Sequence, residues 1–515
     1  MSFFKDITAS PKFEDTSKIS RHPLTGISVL IVGAGPAGLY TALECWRKGH
    51  NPRVIDRTPA PSPAGDSFML GPSAERHVEK TWPSVYDAAL KTAPDPCISF
   101  HKVTGERVAG PQPFSFKKDA MVAVTEDGDP APDRVYRVSR PKLNAALLGQ
   151  VLALGIDVKY GQKVVEYFED EDKAGVILED GSKADADVVV AADGLGTKSH
   201  RLINGHDIRA MGSKHSIFRT AYHVDHISSD PELDNRFPLR DDGGAVLQIW
   251  TGDDIQILVL RTPDVVEWHV VHNDTEGTSQ ESWANKASPE YVVNFLKENF
   301  PDVPEYLYKL IRTAPEDGII DWALLWRDPQ PNWTSPLGRV VQVGDSAHTF
   351  LPSSGNGAVQ GIEDAISVAT CLQLGGVKNG LWSKTHNKLR QVGFSSHVAS
   401  YLCHDPTNRH RRFEHVSCCQ LVGFLNQTNF LKPALRKVGG ASATPKPEYG
   451  RWIWAHNPER YAYDNYGKAL KSLVDGSPFQ NTNIPPGYNY KPWSLHELYG
   501  RIDKGEKVEF EGDWS

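Results

Sequence analysis

The stretch that decides the fold is GISVLIVGAGPAGLYTALECWRKGHNPRVID, residues 26–56. It begins with GISVLIV at 26–32, whose β-branched residues are typical of a strand that is buried on both faces. The segment GAGPAG follows at once, and an apolar helical pattern then runs over 39–47. A second strand is predicted at 53–55 and ends at Asp56. This order of strand, glycine turn, helix and strand predicts the opening of a doubly wound α/β domain.

The glycine turn carries the first chemical signal. Gly33, Gly35 and Gly38 form a GxGxxG motif directly after the predicted strand, and Asp56 stands at the end of the next strand. Such glycines let backbone N–H groups approach a pyrophosphate at a helix N-terminus, while the acid accepts from a ribose hydroxyl. A tight turn without a ligand is the alternative, and the strand before and the acid after disfavour it. The acid predicts a free 2′-hydroxyl, as in FAD or NAD.

Composition restricts the class of protein. The 515 residues exceed one compact domain, so two or three domains are expected. The net charge of −8 gives no overall positive field, and nucleic acid is not an expected partner. The six cysteines form no CxxC pair, which predicts no metal site and favours a reducing compartment. Without a leader pattern or a long apolar run, we expect a cytoplasmic protein with no membrane span.

Two further Val-rich strands end at an aspartate beside a glycine. AADG places Asp193 after one strand, and GRVVQVGDSAH places Asp345 after the other. Each aspartate alone predicts a strand-ending turn. Between them, the runs at 245–250, 255–260 and 265–271 predict consecutive antiparallel strands of a separate sheet.

Together, GAGPAG, AADG, VGDSAH and LPSSGNGAVQGIEDA resemble the group A flavoprotein monooxygenases, the para-hydroxybenzoate hydroxylase-like and salicylate hydroxylase-like enzymes. The resemblance spans about residues 26–372. It implies an α/β fold with a doubly wound Rossmann-like FAD-binding domain, an inserted antiparallel β-sheet substrate domain and a helical and extended C-terminal region. It also implies FAD as the cofactor and NADPH or NADH as the co-substrate.

The resemblance assigns contacts to the flavin end of the cofactor. Asp345 would hold the ribityl chain of FAD, and Asp193 would lie where the family handles FAD and NAD(P)H. The residues that would surround the isoalloxazine ring are Pro352, Gly355, Asn356, Gly357 and Ala358. A helix that begins near this loop can direct N–H groups and its positive end at the ring edge that becomes anionic on reduction.

Two more cofactor contacts follow from the resemblance. Arg140, in RPKLNAAL, matches an arginine that lies beside the cofactor. Gly65 opens GDSFMLGPSA, which looks like a family stretch with small residues after the glycine. Asp66 and Ser67 depart from that pattern.

We predict a division of the chain into an arm, two domains and a C-terminal region. The FAD-binding domain is assembled from 25–212 and 331–375, and the substrate domain lies between them at 213–330. An N-terminal arm at 1–24 precedes them, and a helical region with a Pro- and aromatic-rich tail at 376–515 follows.

The activity that the resemblance implies is NAD(P)H-consuming insertion of one oxygen atom from O2 into an aromatic or electron-rich small molecule, through a flavin C4a-hydroperoxide. The expected partners are that substrate, O2 and NAD(P)H, and a homodimer is left open. Hydroxylation, decarboxylative hydroxylation and epoxidation use the same chemistry, and the motifs do not separate them. The length beyond Leu372 resembles enzymes that tailor secondary metabolites.

The substrate should lie against the flavin on the sheet of the substrate domain. Arg219, Tyr222 and His223, in FRTAYHV, are the candidate catalytic residues, and Trp250 and Trp268 are further candidates for that surface. Strand side chains alternate between two faces, and aromatic side chains usually pack in cores. A packing role is therefore the alternative for each of them.

Rival interpretations exist for two motifs. A flavin-dependent halogenase shares the GxGxxG opening, and YGRWIWAHNP at 449–458 resembles that family's GWxWxIP, but the pattern is broken, so Trp452 and Trp454 are interpreted as packing residues. A non-catalytic protein of the same fold is disfavoured, because a bound isoalloxazine explains the glycine pattern after Pro352. His269 and His272 are spaced like a metal pair, but on a strand this spacing puts the two rings on opposite faces.

Overall fold

The structure is a computed structural model of the chain. It describes residues 13, 19–62, 65–113, 135–274, 285–391, 418–420, 451–488, 493–504, 506 and 511–513. Most of the predicted N-terminal arm, most of 392–450 and Cys403 lie outside the described residues.

The described residues form strands and α-helices along the whole chain. The strands are β1 (Ser28–Val32), β2 (Asn51–Ile55), β3 (Ser67–Leu70), β4 (Cys97–Lys102), β5 (Arg107–Pro113), β6 (Tyr136–Ser139), β7 (Val158–Lys159), β8 (Val164–Glu169), β9 (Ala174–Leu178), β10 (Lys183–Ala186), β11 (Val188–Ala191), β12 (Met211–His223), β13 (Val246–Gly252), β14 (Ile255–Arg261), β15 (Val265–Asn273), β16 (Lys286–Ala287), β17 (Ile319–Trp326) and β18 (Val340–Gln342). The helices are α1 (Pro36–Arg47), α2 (Pro72–Thr81), α3 (Pro83–Ala89), α4 (Arg140–Ala153), α5 (Ser199–Asn204), α6 (Asp225–Ser228), α7 (Pro231–Arg236), α8 (Pro289–Asn299), α9 (Glu305–Arg312), α10 (Gly357–Gly375), α11 (Leu381–Gln391), α12 (Arg451–Trp454), α13 (Pro458–Asp475) and α14 (Leu495–Asp503).

A five-stranded parallel sheet, in the order β18-β11-β1-β2-β7, is the centre of the first domain. Helices α1, α4 and α10 pack on one face of it, and the three-stranded sheet β10-β9-β8 packs on the other. Because β1 is covered on both faces, its residues after Ser28 are all apolar, and those at 29–31 are fully buried. The predicted strands at 26–32, 53–55 and 188–192 and their parallel arrangement are confirmed.

The second sheet has eight strands in the order β16-β17-β12-β15-β14-β13-β4-β5. Its consecutive antiparallel strands β13, β14 and β15 confirm the prediction for this part of the chain. The sheet is wider than predicted, because β4 joins β13 in parallel and β5 pairs with β4. Residues 97–113 thus extend a sheet that was predicted for 213–330 alone. They were not predicted to do so, because a parallel pairing between strands so distant along the chain leaves no local sequence pattern. The domain boundaries themselves stay a prediction.

The two faces of the eight-stranded sheet have different neighbours. One face packs against the apolar sides of α8 and α9, and its core includes Phe218, Trp250 and Trp268. The other face is turned toward the first domain and forms a wall of a cavity. The alternation of side chains along each strand therefore separates core residues from cavity residues.

Part of the C-terminal region packs on the first domain. Helices α11 and α13 share its core with α10, and an ion-pair cluster ties α13 to the end of α1. In that cluster Glu459 pairs with Lys48 and, at 2.8 Å, with Nη2 of Arg47. Arg47 in turn pairs with the buried Glu44 at 2.6 Å. Among the described helices, none combines the length and apolar character that crossing a bilayer requires.

A contact between Gly71 and the C-terminal region generates a stability prediction. A Cβ added at Gly71 would lie 1.4 Å from Cζ3 of Trp454, so the indole would have to move. We expect Gly71→Ala to lower the free energy of unfolding by about 1–3 kcal/mol, measured by urea denaturation. A Cβ added at Gly467, inside α13, meets no atom within 4 Å, and Gly467→Ala should raise the same free energy by about 0.5–1 kcal/mol. Equal stabilities for the two variants would contradict the packing.

Candidate active site

A cavity of about 330 Å³ lies between the first domain and the free face of the eight-stranded sheet. Residues of five groups line it: the start of α1, the segment after β2 that includes β3, the arginines Arg137 and Arg140 of β6 and α4, the turns at 344–358 with the first turns of α10, and the sheet face. The cavity is therefore built from the elements that the sequence analysis assigned to cofactor and to substrate.

The glycine turn lies at the end of β1, as its motif predicts. Gly33 has a φ of +112°, and an added Cβ would lie 2.2 Å from the carbonyl oxygen of Ala192. A Cβ at Gly38 would lie 1.9 Å from the carbonyl oxygen of Gly33. These two glycines are thus required by the close approach of protein to protein. Gly35 differs, because a Cβ there meets nothing within 4 Å, and the space above it is open to a ligand.

Asp56 is fixed beside this turn. Its Oδ2 accepts from the N–H of Ala34 at 2.7 Å, and its Oδ1 accepts from the N–H and the hydroxyl of Thr58 at 2.7 and 2.6 Å. A carboxylate oxygen can accept two hydrogen bonds. Oδ2 accepts only the one from Ala34 among the described residues, so it retains one acceptor site for a ribose hydroxyl. The geometry fits the predicted role of Asp56.

Asp345 and Asp193 both follow strands at the same end of the parallel sheet, but their side chains have different surroundings. Asp345 is exposed at the cavity, although its neighbours Gly344 and Ser346 are buried. Asp193 accepts from the hydroxyls of Tyr167 at 2.8 Å and Ser346 at 3.1 Å, and it does not line the cavity. Asp345 is thus placed to contact a ligand, whereas Asp193 braces the turn that carries it.

The turn at 352–358 lies at the cavity, and at Gly357 the protein itself does not require a glycine. Pro352, Gly355, Gly357 and Ala358 all line the cavity. A Cβ added at Gly357 would meet only Phe350, at the ordinary contact distance of 3.7 Å. Because the protein leaves room for a side chain at this position, the glycine is explained by a ligand in the cavity. Helix α10 begins at Gly357 and has no acidic residue in its first turn, so its positive end is available to that ligand.

Gly65 and Arg140, which the resemblance assigned separately to the cofactor, are adjacent. A Cβ added at Gly65 would lie 3.0–3.3 Å from the side-chain carbons of Arg140, and Gly65 has a φ of +137°. Arg140 lines the cavity, whereas Gly65 does not. Gly65 therefore makes room for the arginine. With the open space at Gly35, the acceptor of Asp56, the exposed Asp345 and the turn at 352–358, the described residues fit FAD.

Only one of the three candidate catalytic residues lies at the cavity. Arg219 lines it, but Tyr222 is three residues away on β12 and therefore on the opposite face. The Tyr222 hydroxyl lies 2.8 Å from that of Thr313 and accepts from the Trp268 indole at 3.1 Å. His223 is exposed at the end of the strand and pairs with Asp225 at 3.1 Å. Tyr222 and His223 are therefore not retained as catalytic residues.

The two tryptophans of the sheet also face away from the cavity. Trp250 and Trp268 are fully buried in the core between the sheet and its helices. Trp454 covers Gly71, and Trp452 is buried in the C-terminal cluster, which agrees with the packing interpretation of the YGRWIWAHNP motif.

A charged group at the cavity wall was missed by the sequence analysis. The Arg219 guanidinium makes a two-fold hydrogen bond to the carboxylate of Asp66, with Nε at 2.6 Å. Nε2 of His269 lies 2.8 Å from Asp66 and 3.2 Å from Glu267, which pairs with Arg137 at 2.5 Å. We call these five residues the polar cluster. The available signal was the alternation of β15, where Glu267 and His269 occupy two alternate positions and the residues between and beside them are apolar.

The polar cluster is balanced electrostatically without a metal ion. Burial acts to raise the pKa of Asp66, but the charges of Arg219 and His269 outweigh it and hold this pKa well below its usual range. The pKa of the Arg219 guanidinium is raised, since Asp66 outweighs the opposing effect of burial. The oxygen and nitrogen atoms of Asp66, Glu267 and His269 lie within 4.8 Å of one another, but the two guanidinium groups already supply the positive charge there.

A second buried charge network lies behind the cofactor loops. Arg390 of α11 donates to Asp364 at 2.9 Å and to Glu363 at 2.8 Å, both on α10. Asp364 also accepts from the N–H of Gly344 at 2.9 Å and lies 2.6 Å from Nε2 of His348. Burial acts to raise the pKa of Asp364, but its charged neighbours, His348 and Arg390, lower it well below the usual range. This network holds α10 against the turn that carries Asp345.

A family model described as "FAD binding domain" matches residues 26–300 of the chain. The FAD-dependent monooxygenase fsr3 of Gibberella fujikuroi is 39% identical over 508 residues, which are 97% of this chain and 91% of that protein.

Solved structures with the same fold include CtdE in complex with FAD and a substrate. That chain is 25% identical, with a TM-score of 0.72 over 87% of this chain and 100% of its own. A substrate complex of salicylate hydroxylase is 18% identical, with a TM-score of 0.61 over 85% of this chain and 98% of its own, which is a likeness of fold. These likenesses confirm the α/β fold with a parallel sheet and antiparallel sheet elements.

Gly357 provides a test of the cofactor assignment. We expect Gly357→Leu to abolish retention of FAD, because the side chain would occupy the cavity, while the melting temperature of the apoprotein stays within about 2 °C of the parent's. Gly33→Leu should instead lower the stability of the apoprotein by several kcal/mol, since the clash is with protein backbone. Absorption spectra and thermal denaturation check both results, and a fully yellow Gly357→Leu protein would refute the assignment.

Arg390 provides a test of the network behind the loops. We expect Arg390→Met to lower the free energy of unfolding by about 3–5 kcal/mol, because it leaves buried carboxylates without their partner. The matched control is Arg312→Met, which removes a solvent-exposed arginine paired with Glu290 at 3.0 Å and should cost at most about 1 kcal/mol. Urea denaturation of both apoproteins gives the comparison. An equally small loss of unfolding free energy in both variants would contradict the proposal that Arg390 stabilises the buried carboxylates.

Proposed function

The chain belongs to the family of FAD-dependent monooxygenases, and from that premise we propose that it inserts one oxygen atom of O2 into an electron-rich aromatic small molecule, with NAD(P)H as the electron donor. Bound FAD supplies the redox chemistry, which is the acceptance of electrons from NAD(P)H and their delivery to O2. The tasks of the protein are to hold the cofactor, to place the substrate against it and to keep water out.

The observation that carries the proposal is that one cavity joins the cofactor loops to the free face of the large sheet. The turn at 352–358 and Asp345 form one side of it. The opposite side is a wall of alternate strand residues, including Leu247, Ile249 and Leu258. A flat aromatic molecule on this wall would lie next to a ring held by the turn.

The residues of the cofactor side have separate tasks in this proposal. The N-terminus of α1, with the open space at Gly35, binds the pyrophosphate, and Asp56 accepts from the ribose. Asp345 contacts the ribityl chain. The first N–H groups of α10, which point into the cavity with their dipoles already oriented, would stabilise negative charge on the bound flavin without rearrangement.

The wall determines the class of substrate. Apart from Arg219, Gln256 and His269, the sheet side chains that line the cavity are aliphatic: Ile98, Ile217, Leu247, Ile249, Leu258, Val271 and Leu324. Such a surface favours a large apolar body, and it excludes water from the site of oxygen transfer. The few polar groups of the wall, with Arg219 and His269 side by side on neighbouring strands, orient the body. A substrate with one polar edge fits this arrangement.

Two further proposals concern the compartment of the protein and its metabolic role. None of the five described cysteines forms a disulfide, and all are buried, which supports the cytoplasm as the compartment. We also propose a role in tailoring secondary metabolites.

The test is spectroscopic and isotopic. The purified protein should show a flavin spectrum, and anaerobic NADPH or NADH should bleach it faster in the presence of an accepted phenol or indole than without one. With ¹⁸O2, the product should contain one labelled oxygen atom.

The Asp345→Ala variant tests the cofactor side of the cavity. We expect it to retain about tenfold less FAD than the parent protein, or to release about tenfold more H2O2 per NAD(P)H consumed, because the ribityl chain loses a contact.

Two outcomes would contradict the proposal. A protein that cannot be reconstituted with FAD would indicate a non-catalytic role. A product whose new oxygen comes from water, or a halogenated product in the presence of halide, would indicate a different use of the flavin.

A further inference from the structure

The polar cluster defines one end of the cavity wall. On β12 and β15, Arg219 and His269 are directly opposite each other across the antiparallel pair, and both line the cavity. Leu258 of β14 is the other strand neighbour of His269. The cluster therefore lies at the border between the aliphatic wall and the segment that contains Asp66 and leads into β3.

The cluster has a definite charge balance. The carboxylates of Asp66 and Glu267 are matched by the guanidinium groups of Arg219 and Arg137. His269 is the fifth member, and its Nε2 faces both carboxylates. With a neutral imidazole the cluster carries no net charge. It can accept one proton on His269 only if an anion enters with it, because an unbalanced buried charge is costly.

We propose that His269 accepts the proton of an acidic hydroxyl group of the substrate, and that Arg219 binds the resulting oxyanion. The inference rests on the proposed function and narrows its substrate class to phenols with a large apolar body. An ionised phenol is more electron-rich than the neutral one, so the step activates the ring for attack by an electrophilic oxygen.

The step is balanced in atoms and charge. The substrate O–H bond breaks and leaves its electron pair on oxygen, and an N–H bond forms at Nδ1 of His269. The other ring proton stays on Nε2, between Asp66 and Glu267, which stabilise the imidazolium. The phenolate and the imidazolium have opposite charges, so the cluster with its ligand remains neutral overall. No oxidant or further reactant takes part.

Other groups at the cavity are unsuited to accept this proton. Arg137, Arg140 and Arg219 are already protonated, and guanidinium groups do not release a proton in proteins. Asp66 is held as a carboxylate by two hydrogen bonds from Arg219, which makes it a weak base. Asp345 is on the cofactor side of the cavity. Of the titratable groups that line the cavity within the described residues, His269 is the one imidazole, and its ring nitrogen can accept a proton without an unpaired carboxylate or guanidinium being left behind.

The experiment measures ionisation of a bound phenol in the FAD-loaded protein, without NAD(P)H. The probe is 4-nitrophenol, whose phenolate is coloured, and the ionised fraction is read from difference spectra against the holoenzyme over a pH series. We expect the bound probe to ionise about ten times more readily than the free probe, as a midpoint shifted about one pH unit downward. In His269→Gln the shift should fall to less than twofold.

The matched control is His272→Gln on the same strand. His272 faces the other side of the sheet, where it stacks on Phe218 with ring centroids 4.6 Å apart, so its loss should leave the shift unchanged. FAD content and circular dichroism establish that both variants are folded. A second probe, 4-nitroanisole, has no hydroxyl proton and should bind at least tenfold more weakly than 4-nitrophenol.

Each remaining outcome decides against the inference. An unshifted midpoint, a shift that survives in His269→Gln, equal affinities for the two probes, or no binding of 4-nitrophenol would each overturn it. Because the measurement needs no turnover, these results leave the proposed monooxygenation standing. A holoenzyme that binds and ionises the probe but fails to transfer oxygen would refute the proposed function instead.

Discussion

The buried carboxylate of Asp364 connects the parts of the chain on which the cofactor site depends. One of its oxygens accepts from the backbone of Gly344, next to Asp345, and the other accepts from Arg390 of α11. Since Asp364 belongs to α10, whose first residue is Gly357, the distance between Asp345 and the start of α10 is fixed by this contact. An aspartate placed in a core is costly unless it is paired and hydrogen-bonded, and here both conditions are met. The local sequence GDSAH can therefore form a defined turn rather than an adaptable loop.

The glycines of the site are of two kinds. Two of them are required by the packing of the protein itself, and two others border the cofactor site without being required by packing. Gly33 and Gly38 are required because the first helix lies against the strand ends at a distance that no side chain permits. Gly35 and Gly357 have space for a side chain, yet both occur at helix N-termini that border the cofactor site. At these two positions the space that the protein leaves open borders the cofactor site, so a ligand can occupy it. In the proposed function the two helix ends thus serve two different parts of one cofactor.

Sequence patterns predicted the parts of the fold that local chemistry determines. The buried strand at 26–32, the glycine turn and the strand-ending aspartates follow from periodicity and turn preferences, and they are where the structure has them. The pairing of β4 with β13 was not predictable, because no local pattern specifies a partner so far along the chain. The same limit applies to Arg390, which resembles any other helical arginine until α11 packs on α10. Arg219 and Tyr222 were both candidates for the substrate surface, because the sequence alone does not show which face of the strand is turned to the cavity.

The sheet explains why a polar cluster can exist at a largely aliphatic wall. Each strand gives one face to the core and the other to the cavity, so a charged residue placed on the cavity face does not disturb the core beneath it. Trp268 lies between Glu267 and His269 in sequence but packs against the helices, and Arg219 likewise follows the buried Phe218. Asp66, the residue that departs from the family's small residues, supplies the partner that makes Arg219 tolerable there. Together with Glu267 and Arg137 it forms a neutral frame around one imidazole. In such a frame the charge of the histidine follows the charge of the ligand, which links recognition of a hydroxyl group to its ionisation.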